Sequence, residues 1–166
     1  MPACEYDDVI AKLISGGQAG VDRAALDTAL ELGIPCGGWC PHGRRAEDGC
    51  VPDYYPLTET PSTNYGQRTE WNVRDADATL ILTFGHLAGG TQLTVEVCGR
   101  LGKPFLVIAL VDNTQPDARI ETARRWVKEV QPDRLNVAGP HASEAAAAYE
   151  ATCQFLRVLL GRAADR

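Results

Sequence analysis

The sequence predicts a Rossmann-like α/β fold, a parallel sheet with helices on both of its faces. Short apolar runs alternate with segments of helical periodicity along all 166 residues. Glycine-rich turns follow two of these runs, which is typical of a strand that leads into a helix. Because no repeat, linker or change in composition divides the chain, we expect a single domain over residues 1–166.

The first half of the chain contains two predicted strands, a long loop and two helices. Residues 12–15 form the first strand, and a helix follows with Val21, Ala25 and Leu32 on one face. "GIPCGG" predicts the second strand. Residues 39–62 form an irregular segment with four prolines, whose aromatic residues indicate order. Asn64 is predicted to cap a helix that ends near Arg74.

The second half continues the alternation of strand and helix. A buried strand is predicted at 78–84, further strands are predicted at 105–110 and 135–137, and a helix follows each of the three. The residues that we expect to face inward from the three helices of this half are Leu93, Val97 and Leu101, then Ile120, Ala123, Val127 and Val130, and finally Tyr149, Cys153, Leu156 and Leu160. Ser143 is predicted to cap the last helix.

Composition excludes several classes of function. The net charge of −6 argues against a nucleic-acid-binding surface, which needs a basic face. No run approaches the roughly 20 apolar residues of a membrane span. The N-terminal "MPACEYDDVIAK" carries acids where a secretory leader carries bases, so we expect a cytoplasmic protein without disulfides.

The cysteine pattern does not predict a metal site. Cys36, Cys40, His42 and Cys50 lie close in sequence, but their spacing lacks the paired Cys-x2-Cys of zinc sites. We therefore expect no structural metal and free thiols, with Cys98 and Cys153 as small core residues of helices.

Two glycine-rich loops predict a binding site for an anion. The first contains Gly16, Gly17, Gln18 and Gly20, and the second contains Gly89, Gly90 and Thr91. Bare backbone at a helix N-terminus offers N–H groups and the positive end of the helix dipole. Neither loop matches a dinucleotide or NTPase fingerprint, and each alone could be only a tight turn. Two such loops at equivalent strand ends favour a shared ligand site.

Charged residues near these loops are further candidates for the site. Asp22 could interact favourably with the helix dipole, or it could bind a hydroxyl or N–H of the ligand. Glu96 could be a surface acid, or it could point back toward the second loop. The arginines close to the loops in sequence, which suit phosphate but also fit a codon bias, are Arg23, Arg44, Arg45, Arg68 and Arg74.

Five blocks together resemble the molybdenum carrier family: "ISGGQAGVDRAALDTAL", "GGWCPHGRRAEDG", "YPL", "QRTEWNVRDADATLIL" and "AGGTQLTVE". The resemblance implies a Rossmann-like, oligomeric protein, a dimer or tetramer, that binds the molybdenum cofactor, a pterin with a dithiolene and a terminal phosphate. It further implies that cofactor-receiving enzymes are partners. The implied ligand contacts are the two glycine loops with Asp22 and Glu96, and the side chains of Arg44, Arg68 and Asn72.

The second loop also resembles that of phosphoribohydrolases, which cleave nucleoside monophosphates. In such an enzyme Glu96 would be catalytic, and Arg68 or Arg74 would orient the phosphate. However, "AGGTQLTVE" lacks the proline, the third glycine and the second acid of those enzymes, which favours binding over catalysis. His42 also stands where the carrier family commonly has lysine. A third hypothesis for the same loops is that the protein is a nucleotide sensor.

Overall fold

The computed structural model describes residues 10–111 and 116–161. Its central strands are β1 (Lys12–Ile14), β2 (Cys36–Gly37), β7 (Ala78–Thr83), β8 (Phe105–Ala109) and β9 (Arg134–Ala138). They form one sheet in the order β2-β1-β9-β7-β8, with every neighbouring pair parallel. Because β9 lies between β1 and β7, the loops that follow these three strands meet at one edge of the sheet.

In the described residues, five α-helices cover the two faces of the sheet, which confirms the predicted fold class. They are α1 (Val21–Leu32), α2 (Tyr65–Asp75), α3 (Gly89–Leu101), α4 (Pro116–Val130) and α5 (Ala148–Leu160). Helix α5 packs against α1 and α4 on one face, while α2 and α3 pack together on the other.

Alternation along the strands divides the core between these two layers. Leu80, Leu82 and Leu135 are fully buried toward α1, α4 and α5. The intervening residues point to the opposite face, where Asn136 donates a hydrogen bond to Thr79. All six residues of β7 are buried, because helices cover this strand on both sides.

The proline-rich segment is ordered, as its aromatic residues predicted. Its short elements are β3 (Trp39–Cys40), a 3-10 turn (His42–Arg44), β4 (Arg45–Ala46), β5 (Gly49–Cys50) and β6 (Thr58–Glu59). Val51, Tyr55 and Leu57 bury their side chains in a small cluster with Leu26 of α1. This cluster holds the segment over the first helix and beside the first glycine loop.

Two predictions about the last helix were wrong. The helix begins at Ala148, so Ser143 lies upstream of it and does not cap it; its hydroxyl bonds Glu47 instead. Tyr149 is 40% exposed rather than buried, because its hydroxyl reaches Asp27 at the surface. By contrast, Asn64 caps α2 as predicted, accepting a hydrogen bond from the backbone N–H of Gly66.

Within the described ranges, no helix combines the length and the hydropathy that crossing a bilayer requires. The N-terminal residues on which the expectation of a cytoplasmic protein partly rests lie outside those ranges.

Candidate functional site

A polar cleft opens at the carboxyl edge of the sheet, where the loops after β1, β7 and β9 meet. About 270 Å³ of space that includes open solvent lies between its walls. Its lining comes from four elements and one loop, and consists of Asp22, Arg68, Thr69, Gly90, Thr91, Thr94, Ala138, Gly139, His141 and Glu144. The lining therefore includes Gly90 and Thr91 of the second glycine loop and a third loop, after β9, but no residue of the first glycine loop.

Arg68 and Asp22 form a buried ion pair in the wall of this cleft. Nη1 of Arg68 lies 3.4 Å from Oδ2 of Asp22, and the two residues are 8% and 4% exposed. The same Oδ2 accepts a hydrogen bond from the backbone N–H of Gln18. Burial raises the pKa of Asp22, although Arg68 and His141 oppose this effect. The guanidinium therefore offsets only part of the cost of burying the carboxylate of Asp22.

The guanidinium of Arg68 retains hydrogen-bonding capacity. Its Nε is buried and has no hydrogen-bond partner among the described residues. Tyr65 lies beside it, with the ring centroid 5.6 Å from the guanidinium carbon. A buried donor without a partner costs about 1–3 kcal/mol, so Arg68 is held in the cleft wall at a cost in stability.

The N-terminus of α3 is open to the cleft. The helix begins at Gly89, and its capping residue Ala88 makes no side-chain hydrogen bond to the first turn. A β-carbon on Gly90 would meet nothing within 4 Å. The first N–H groups of α3 and the positive end of its dipole are thus available to an anion that reaches Arg68.

The N-terminus of α1 is closed by the protein itself, contrary to the prediction of an anion cradle there. The N–H of Val21 donates to the carbonyl of Pro140, and the N–H of Ala142 donates to the carbonyl of Ala19. Gly20 has a φ of 116°, and a β-carbon on it would lie 2.7 Å from backbone atoms of this loop.

The other glycines of the first loop also make room for the protein. A β-carbon on Gly16 would overlap the Arg68 guanidinium, and one on Gly17 would lie 2.5 Å from Leu57. The bare backbone of "SGGQAG" thus allows Arg68, the proline-rich segment and the loop after β9 to approach β1 closely.

Three further predicted contact residues hold loops in place. The side-chain amide of Gln18 bonds the backbone of Arg45 and Glu47. The guanidinium of Arg44 donates to four backbone carbonyls between residues 51 and 57. Asn72 bonds both the N–H and the carbonyl of Trp39. None of the three lines the cleft, so the structure supports structural roles for them.

Most of the remaining candidate residues also lie outside the cleft lining. Glu96 is exposed, accepts a hydrogen bond from Gln92 and lies outside the cleft lining. Arg23 pairs with Asp48, Arg74 pairs with Asp75, and Arg45 stacks on Tyr65, with its guanidinium carbon 4.5 Å from the ring centroid. Of the arginines near the loops, only Arg68 reaches the cleft.

The loop after β9 supplies the site residues that the sequence did not predict. His141 and Glu144 line the cleft, and Nδ1 of His141 lies 3.5 Å from a carboxylate oxygen of Glu47. That carboxylate also accepts hydrogen bonds from the hydroxyl and the N–H of Ser143. The signal was present in "AGPHASE" directly after a predicted strand, but only the sheet order places this strand between the two glycine loops.

Charge stabilises the contacts of Glu47 with the loop after β9. Burial pushes the pKa of Glu47 upward, but the two hydrogen bonds from Ser143 and the nearby His141 outweigh that effect, so the pKa is lowered. The carboxylate form of Glu47 is therefore the form that holds the loop after β9 against the hairpin of β4 and β5.

A wider groove of about 490 Å³ lies on the α2 side of the sheet and is lined by Lys12, Ile14, Gly38, Trp39, Thr58, Asp75 and Arg134. Its acid, Asp75, is already bonded by the indole N–H of Trp39 and by Arg74. The buried side-chain atoms without a partner in the described ranges are on Thr28, Arg68 and Thr152, and of these only Arg68 lines either opening. The first cleft is therefore the better candidate.

No group of three or more His, Cys, Asp or Glu residues in residues 10–111 and 116–161 is arranged to hold a metal ion. The cysteines in these ranges are free thiols, and burial raises the pKa of Cys40, Cys98 and Cys153.

Comparison with known proteins agrees with the family that the sequence blocks resemble. Residues 13–160 match the model of the circularly permutated YpsA SLOG family. A protein of Syntrophus aciditrophicus SB, named "putative molybdenum carrier protein" and solved by crystallography, is 45% identical. The match covers 93% of this chain and 97% of that one, with a TM-score of 0.89. No curated protein matches the chain. The chain belongs to the circularly permutated YpsA SLOG family.

Proposed function

We propose that this protein binds the molybdenum cofactor through its terminal phosphate and acts as a carrier or store of the cofactor. One observation carries the proposal: Arg68 lines a cleft where α3 presents an uncapped N-terminus. The similarity to a protein named as a molybdenum carrier supports the choice of ligand.

The chemistry of the cleft suits a phosphate ester. The guanidinium of Arg68 and the first N–H groups of α3 can donate to phosphate oxygens together, and charge-assisted bonds of this type are the strong ones. Thr91 and Thr94 add short polar side chains to the same wall. Because the roughly 270 Å³ of the cleft includes open solvent, we expect the phosphate to lie in the cleft and most of the pterin to lie outside it.

The proposal is tested by titrating the protein with cofactor released from a molybdoenzyme under anaerobic conditions. We expect saturable binding to the native protein and a loss of affinity of about tenfold or more in Arg68→Lys, because lysine keeps the charge but not the planar donor set. Arg74→Lys is the matched control, since Arg74 lies outside the cleft. Equal affinity in all three proteins would contradict the proposed site, and no saturable binding would contradict the proposed function.

The phosphoribohydrolase hypothesis has a separate test. The acid on which the hydrolase hypothesis depends, Glu96, is exposed and outside the cleft lining. We therefore expect no release of free base from a panel of nucleoside monophosphates. Turnover that disappears in Glu96→Gln would reverse that conclusion.

Self-association, a cytoplasmic location and transfer of the cofactor to receiving enzymes belong to the same proposal. They rest on the family resemblance and on the carrier role. Strand β8, at the edge of the sheet, exposes Phe105 and Val107 and is compatible with a dimer or tetramer.

A further inference from the structure

The acidic side of the cleft is not explained by phosphate binding. The lining carries the carboxyl groups of Asp22 and Glu144 but the guanidinium of Arg68 alone, with His141 beside them. A site for a free oxyanion ordinarily has an excess of positive charge or donor groups. The carboxyl group of Asp22 is accounted for by its ion pair with Arg68, whereas Glu144 has no cation within ion-pairing distance among the described residues.

Glu144 lies at the mouth of the cleft in a defined orientation. Its Oε2 accepts a hydrogen bond of 2.8 Å from the backbone N–H of His141, which fixes the carboxylate on the loop after β9. Its Oε1 accepts no hydrogen bond from a described residue, and a β-carbon on Gly89 would lie 3.4 Å from it. One acceptor atom is therefore held free beside the first residue of α3.

We infer that Glu144 is a specificity-determining residue that accepts a hydrogen bond from an N–H or O–H group attached to the ligand beside its phosphate. The inference rests on the proposed function. A free oxyanion such as molybdate, or a simple phosphate without donors, meets Glu144 only as a like charge. A phosphate ester with a donor-bearing ring, such as a pterin, satisfies the free oxygen. The site thereby selects the complete cofactor over bare oxyanions.

The experiment is a calorimetric titration of the native protein and of Glu144→Gln with three probes. The probes are methyl phosphate, molybdate, and the oxidised, metal-free pterin phosphate ester prepared from the cofactor. Glutamine keeps an oxygen that can accept from the N–H of His141, so the turn is retained. Glu150→Gln removes the same charge from an exposed position of α5 and is the matched control.

We expect Glu144→Gln to bind the pterin phosphate about tenfold more weakly, because a charge-assisted hydrogen bond becomes a neutral one. The same variant should bind methyl phosphate and molybdate about threefold more tightly, because a like charge has left the mouth of the cleft. Glu150→Gln should resemble the native protein with all three probes. Opposite changes for the ester and for the simple anions are the signature of this role.

Two other outcomes would overturn the inference while leaving the proposed function intact. If all three probes bind more tightly to Glu144→Gln, Glu144 only repels anions. If none changes, Glu144 does not face the ligand. A native protein that binds neither the pterin ester nor methyl phosphate would contradict the phosphate site itself, and the inference with it.

Discussion

At the scale of single residues, helix α3 contains two glycines with open space around them, and only one faces the cleft. A β-carbon on Gly90 or on Gly99 would meet nothing within 4 Å, but Gly90 lines the cleft and Gly99 does not. We predict that Gly90→Val abolishes binding of the pterin phosphate, because the side chain fills the approach to the backbone N–H groups. Gly99→Val should bind normally.

Both variants should keep their stability to within about 1 kcal/mol, since helix propensities of glycine and valine are similar. Urea denaturation measures that change and titration measures binding. Normal binding by Gly90→Val would show that the anion does not approach α3.

The ion pair of Arg68 and Asp22 makes a separate prediction about stability. Arg68→Met leaves the buried carboxyl of Asp22 without its cation, and we expect a loss of about 3 kcal/mol in the free energy of unfolding at pH 7. The double variant Asp22→Asn, Arg68→Met should recover part of this loss, because no charge is then buried alone.

The pH dependence of the single variant follows from the raised pKa of Asp22. The favourable contribution of Asp22 to the free energy of unfolding is present below pH 3.8, its ordinary pKa. That contribution is lost as the pH rises through the higher pKa of Asp22 in the folded protein. The destabilisation by Arg68→Met should therefore be smaller near pH 4 than at pH 7. An equal loss at both pH values would argue against a buried carboxylate as its cause.

At the scale of elements, the loop after β9 is held to the hairpin of β4 and β5 by Glu47. Because the pKa of Glu47 is lowered in the folded state, its contribution to stability is present above about 4.5 and is lost as the pH falls through the folded pKa. We predict that Ser143→Ala costs about 0.5–1 kcal/mol at pH 7, since the group is partly exposed.

That cost should shrink in acid, as the pH falls through the lowered folded pKa of Glu47 and the carboxylate loses its charge. Urea denaturation at pH 7 and in acid measures the difference. A cost that is independent of pH would mean that the hydroxyl of Ser143, rather than the charge of Glu47, makes the contribution.

Elements were more predictable from the sequence than the site that they build. Asn64 as a cap, Gly102 with Pro104 after α3, and the apolar run of β7 each act over a few residues, and the structure confirms them. The sequence gives no reason to separate Arg44 and Asn72 from Arg68 as ligand contacts. Only tertiary contacts show that the first two bond backbone carbonyls and N–H groups. Local patterns cannot tell a ligand contact from a loop-holding contact.

At the scale of the whole molecule, the order of the sheet explains the largest omission. The sequence places β9 near the end of the chain, far from either glycine loop, whereas the structure inserts it between β1 and β7. That insertion brings His141 and Glu144 to the cleft and closes the N-terminus of α1. The order of parallel strands that are distant in sequence depends on the whole fold, and hydrophobic periodicity does not predict it.

The expected oligomer is a prediction at this scale. We expect light scattering with size-exclusion chromatography at micromolar concentration to give the mass of a dimer or tetramer of the 17.9 kDa chain. A monomer at these concentrations would remove self-association from the account.

The most direct measurement is the molybdenum and pterin content of the protein purified without oxygen from a host that makes the cofactor. We predict near-equal amounts of molybdenum and pterin, close to one of each per chain, and neither of them in Gly90→Val. Molybdenum without pterin would indicate storage of an oxyanion and contradict the role of Glu144. Neither component in the native protein, despite cofactor in the host, would contradict the carrier function.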